Sequence, residues 1–195
     1  MRVKFWVKNP QIFLILSVLV AGLVVALFVN KDSNEQQSLH HANAKFIELT
    51  TNRNVACFGA NRIYSMSDGD RLQGSCCSPM SLHRYEEQVE GLKEHSDINQ
   101  IPPDPYDIPV EKAKELLNYK NTIKLSDEQD EIYKDAMKMS DEGGPCCCKC
   151  WRWDVYEGLA TYLIVIENFT AEQVAEVWDL SDGCGGEGHA TGVHA

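Results

Sequence analysis

Positive charge is scarce in this chain. Its 195 residues carry 18 Lys and Arg against 29 Asp and Glu, a formal net charge of −11. Nucleic acid and anionic lipid both call for a cationic surface, so nucleic acid is excluded as a partner. The signatures of several common chemistries are missing too. No Cys-x-x-Cys-His occurs, which excludes attached c-type haem. No phosphate-cradling glycine loop, Ser/His/Asp set or pair of acids stands out by its spacing, so no catalytic residue is singled out. Long apolar runs are absent as well, with one exception.

That exception is Ile12 to Val29, unbroken by any charge. Eighteen such residues at about 1.5 Å each suffice to cross a ~30 Å hydrocarbon core. Arg2, Lys4 and Lys8 precede the run without an acid, and Lys31, Asp32 and Glu35 follow it. The positive-inside bias then places the N-terminus in the cytoplasm and the remainder outside. A cleaved signal peptide is the rival reading, but the run is long for one and ends Ala-Leu-Phe-Val-Asn rather than at a small-x-small site. A lipoprotein box is also lacking. The expected organisation is 1–8 cytoplasmic, 9–29 a transmembrane signal-anchor, 30–42 a polar stalk, and 43–195 a domain ending in a flexible tail from about 182. The membrane, reached through 9–29, is thus an expected partner and the cell membrane the expected location.

Within 43–195 the periodicity predicts helices. Ser81 can cap a helix over 82–95 with Tyr85, Val89 and Leu92 on one face. Pro109 suits the first position of the next helix, whose stripe is Val110, Ala113, Leu116 and Leu117. Ser126-x-x-Gln129 and Thr170-x-x-Gln173 are capping boxes, the second with Phe169 and Val174 spaced as a hydrophobic staple. Val155, Leu159, Tyr162, Leu163 and Ile166 fit one face of a buried helix. The fold class is therefore mainly α: one N-terminal transmembrane helix followed by a small Cys-rich helical extracytoplasmic domain.

All eight cysteines lie in this domain, four of them within Pro145-Cys-Cys-Cys-Lys-Cys150. Neighbouring cysteines bridge one another poorly, because a disulfide wants Cα atoms about 4.4–6.8 Å apart. These thiols must reach distant partners or share an acceptor. Opening the following helix, or running extended, would put three sulfurs on one side. Thiolate is a soft donor suited to copper(I) or zinc. The candidate ligands are Cys146, Cys147, Cys148 and Cys150, with Cys76 and Cys77 brought alongside. Cys184, His189 and His194 are possible additions, and Cys57 is a possible disulfide partner. Copper is the first expected ion and zinc the second.

Two further readings stay open. Cys76 and Cys77 could bridge to the 146–150 run in a disulfide-stapled module for partner interaction, each closed loop constraining the unfolded chain by roughly 2–4 kcal/mol. Alternatively Cys147-x-x-Cys150 could act as a thiol–disulfide oxidoreductase pair, although no βαβ pattern surrounds it.

The spacing Pro145-Cys146-x-Cys148-x-Cys150 resembles the signature of the PCYCGC-motif proteins, small exported or membrane-anchored bacterial proteins. This chain departs from that motif at Cys147 and Lys149, where Tyr and Gly stand. The resemblance implies an N-terminal membrane segment, a helical thiol-rich domain, and Cys146, Cys148 and Cys150 as the motif cysteines. It implies no activity.

Overall fold

The computed structural model describes residues 42–186. The helix over 42–51 (α1) leads into a short turn of helix, Asn61–Tyr64 (α2), and strand Arg71–Gln73 (β1). Helix Leu82–Leu92 (α3) runs on into a 3-10 turn, Lys93–His95. Strand Asp107–Pro109 (β2) pairs antiparallel with β1, Leu72 facing Ile108. Four helices complete the body: Val110–Thr122 (α4), Asp127–Met139 (α5), Trp151–Val165 (α6) and Ala171–Leu180 (α7).

The core forms where apolar stripes meet. Val110, Ala113, Leu116 and Leu117 are all buried, and α4 lays them against α6. The two backbones approach closely because residue 158 is glycine: a Cβ there would lie 1.9 Å from the Leu116 carbonyl oxygen. Helices α5 and α7 pack through Tyr133, which meets Trp178 edge-on at 5.4 Å. Both begin with the expected reciprocal caps, Ser126 with Gln129 and Thr170 with Gln173. Such caps satisfy N–H groups the helix itself leaves unpaired. Lys45 of α1 reaches Asp107 of β2 at 2.8 Å, so α1 is tied to the ribbon.

Several expectations shift. Pro109 caps α4 from outside rather than opening it. Gln88, not Val89, joins Tyr85 and Leu92 in the buried face of α3. Helix α6 is buried nearly all round, and Ile166 just beyond it is 52% exposed, so a single stripe describes it poorly.

The transmembrane part of the fold class is corrected. Among the described residues no helix is long and apolar enough to cross a membrane. The longest, α6, has 15 residues, about 22 Å at 1.5 Å per residue and short of a ~30 Å core. It also carries Arg152, Asp154 and Glu157. The segment 9–29, on which the expectation rested, lies outside the described residues, as do the stalk up to residue 41 and the tail from residue 187.

Candidate metal centre

Four segments outside the helices bring the cysteines together, and backbone hydrogen bonds explain how. The 145–150 run neither opens α6 nor runs extended. It bends, the Cys150 N–H donating to the Cys148 carbonyl at 2.8 Å, and Cys150 becomes the N-cap of α6. Gly143 and Gly144 precede it with φ of +68° and +152°, a reversal that side chains disfavour. The Trp151 N–H then donates to the Phe58 carbonyl at 2.7 Å, and the Phe58 ring stacks on Trp151 at 6.0 Å. That pairing carries Cys57 to the run.

The other two segments zip together. Cys76 N–H donates to Gly183 O, Cys77 and Ser78 N–H both donate to Cys184 O, and Gly186 N–H donates to Pro79 O. The stretch read as a flexible tail from about 182 is therefore held as far as Gly186, and Cys184 is 3% exposed. The sulfurs follow these backbones. Cys57 Sγ lies 3.2 Å from Cys77 and 3.7 Å from Cys148. Cys77 is 3.9 Å from Cys147. Cys184 is 2.9 Å from Cys147 and 3.3 Å from Cys146. Three three-sulfur groups result: Cys57, Cys77 and Cys148; Cys77, Cys147 and Cys184; Cys146, Cys147 and Cys148. A fourth group joins Cys146 and Cys184 to a carboxylate oxygen of Asp182. Within each, the donor atoms lie within 4.8 Å of one another.

Cys150 and Cys76 stand behind this array, Cys150 close enough to both Cys146 and Cys76 to shift proton affinity on each side. Beside them is Arg152, 1% exposed. Its Nε donates to Cys76 Sγ at 3.0 Å, Nη1 to Pro105 O at 2.6 Å and Nη2 to Gly74 O at 3.2 Å. Among the described residues it forms no ion pair with a carboxylate. Glycine at 183 makes room for it, since a Cβ there would fall 2.1 Å from the guanidinium carbon.

Crowding holds protons on these sulfurs. Burial raises the Cys77, Cys147 and Cys148 thiols above the ordinary range. Cys150 is pushed up to about 12, first by the hydrogen bond it shares with Cys146 and then by burial. Cys184 also rises to about 12: its hydrogen bond with Cys146 pulls it down, and burial with the Asp182 charge outweighs that. Cys76 rises through Cys150 and burial despite the adjacent guanidinium. Anionic sulfurs packed this closely repel, and only an added positive charge relieves the repulsion. A metal ion supplies that charge while taking the sulfur lone pairs as ligands.

Of the residues expected from sequence, Cys77, Cys146, Cys147 and Cys148 fall in the three-sulfur groups, and Cys76 and Cys150 lie immediately behind. Cys184 is an integral member. Cys57 also belongs to the array, a free thiol like the other seven. His189 and His194 lie outside the described residues. Cys147 meets Cys77 and Cys184, whereas Cys150 meets Cys146 and Cys76. Asp182 and Arg152 were not expected. The signal for Arg152 is its isolation: it is the last Lys or Arg of the chain, set in a strongly apolar segment directly after the cysteines.

No family model matches this chain, and neither a curated protein nor a solved structure does. The site itself defines the class: a helical, cysteine-rich protein whose clustered thiols can hold a metal ion.

Proposed function

We propose that the chain binds a soft metal ion through clustered thiolates, copper(I) in the first place and zinc in the second. The observation that supports this is the set of overlapping three-sulfur groups built from Cys57, Cys77, Cys146, Cys147, Cys148 and Cys184. Soft thiolates select soft ions. Structural zinc favours four donors in a closed tetrahedron. Among the described residues the sulfurs group in threes, which suits a monovalent ion content with three donors. Handling of that ion, by storage or transfer, is the role this chemistry serves.

Thiol counting and elemental analysis test the reading. The full chain is purified without added metal or reductant and its thiols are counted; it is then loaded without oxygen with copper(I) or zinc, and desalted. Retained metal, together with a fall in reagent-accessible thiols that a chelator reverses, is the expected result. Near-zero thiols and no retained metal would instead establish the disulfide-stapled module. A reactive pair titrating near neutral pH, with no metal retained, would establish the oxidoreductase.

A further inference from the structure

The three-sulfur groups are not independent. Cys77 belongs to the first and second, Cys147 to the second and third, and Cys148 to the first and third. Each pair of groups thus shares one sulfur, and each group keeps one of its own: Cys57, Cys184 or Cys146. Three ions placed one to a group would be joined in a closed ring by three shared sulfurs. A thiolate has lone pairs enough to bridge two ions, so the pattern is chemically complete without a further ligand.

Distances agree with it. A planar three-coordinate ion with bonds of about 2.3 Å sets its sulfurs about 4 Å apart. The shared pair Cys77 and Cys147 already stands at 3.9 Å, and Cys57 and Cys148 at 3.7 Å. Cys146 and Cys184, 3.3 Å apart, are unshared sulfurs of different groups; the closer contacts within groups are Cys57 with Cys77 at 3.2 Å and Cys147 with Cys184 at 2.9 Å. They need to open by roughly 1 Å, within reach of small side-chain rotations.

Charge agrees as well. Three monovalent ions and six thiolates leave three negative charges, with each thiol giving its proton to solvent as it becomes a ligand. Removing such an anion from water is costly unless a cation meets it. Arg152 is buried, has no carboxylate partner among the described residues, and already donates to the sulfur of Cys76 behind the array. Its other partners, the Pro105 and Gly74 carbonyls and the Trp151 ring 4.6 Å away, carry no formal negative charge.

Resting on the copper reading above, we propose that the site is trinuclear. It takes up three copper(I) ions in a ring bridged by Cys77, Cys147 and Cys148, and Arg152 is the buried counter-ion that positions the anionic cluster.

Native mass spectrometry of the full chain tests this, with copper(I) added anaerobically against a competing copper(I) chelator. A three-ion form should appear directly beside the metal-free chain, with one- and two-ion forms scarce. X-ray absorption should show three sulfurs per copper and a short copper–copper vector. Cys77→Ser removes an exposed bridging sulfur and should abolish the three-ion form. Arg152→Met should weaken three-ion binding about tenfold or more, the scale of losing an outer partner of a metal site, and Arg152→Lys should restore much of it. Far-UV circular dichroism of the metal-free variants checks folding; if Arg152→Met does not fold, Cys77→Ser still decides. Saturation at one ion, or an unchanged three-ion form in Cys77→Ser, overturns the ring and leaves the soft-metal reading standing. Failure to retain either copper(I) or zinc overturns both. Wild-type affinity in Arg152→Met overturns the counter-ion.

Discussion

Gly185 holds the strap that brings Cys184 to its neighbours, and replacing it with alanine should detach that strap while the helices stay folded. Its φ is +84°, and a Cβ there would lie 2.2 Å from the Ser78 carbonyl oxygen and 3.0 Å from that of Pro79. The left-handed backbone costs a side chain about 1–2 kcal/mol. Forcing a methyl group against backbone adds about 1–3 kcal/mol, so the total is about 2–5 kcal/mol. The strap's own attachment is four backbone hydrogen bonds, each worth about 1 kcal/mol net. The two sums match, and both fall below the ~5–15 kcal/mol that holds a typical domain together. Local opening is therefore the expected response. In Gly185→Ala the Cys184 thiol should react with a small thiol reagent at least about tenfold faster, the factor that 1.4 kcal/mol of opening provides. Metal retention should fall in parallel, and the far-UV spectrum should be unchanged. Gly186→Ala is the control: its φ is +91°, yet its Cβ would meet nothing within 4 Å. Only the backbone cost applies, and the effect should be markedly smaller. Equal Cys184 reactivity in Gly185→Ala and the unaltered protein, read by mass spectrometry of the labelled peptide, would refute the reasoning.

Two further outcomes follow from the packing and from one half-buried acid. Gly158→Ala places a methyl group 1.9 Å from the Leu116 carbonyl oxygen and 3.2 Å from the Lys120 nitrogen. These are backbone atoms with no rotamer to yield, so α4 and α6 must part, at a cost of about 3 kcal/mol or more; a urea midpoint implying under about 1 kcal/mol would sink the close approach. Burial raises the Asp179 carboxyl to about 6, with the Asp141 N–H opposing and the Asp141 charge adding. A carboxyl above its unfolded value of 3.8 binds its proton more tightly when folded, so its contribution is complete below about pH 4 and is lost as pH rises through about 6. Asp179→Asn keeps an acceptor for the Asp141 N–H and should remove that decline, gaining on the order of 1 kcal/mol at neutral pH after solvent screening. Urea midpoints between pH 4 and 7 check this, and identical slopes in both proteins would contradict it.

The helices were legible in the sequence because their signals are local. The stripe Val110, Ala113, Leu116 and Leu117 lies buried as its spacing requires, and both capping boxes close as written. The ribbon was not legible: strands of three residues, Arg71–Gln73 and Asp107–Pro109, are too short to show alternation. The cysteines were legible as a collection and not as an arrangement. Nothing local says that Cys150 will cap a helix, that Phe58 will accept from Trp151, or that a glycine-rich stretch will be clasped by the backbone of residues 76–79. Those contacts join residues far apart in the chain, and they decide which sulfurs meet. Arg152 was hidden for the same reason, since its partners at Gly74, Cys76 and Pro105 lie 47 to 78 positions away.

The sulfurs are also graded by depth. Cys57, Cys77 and Cys147 reach solvent, Cys148 is half-covered, and the remaining four are enclosed. An ion, an oxidant or another thiolate approaching from solvent therefore meets those three thiols before the enclosed ones.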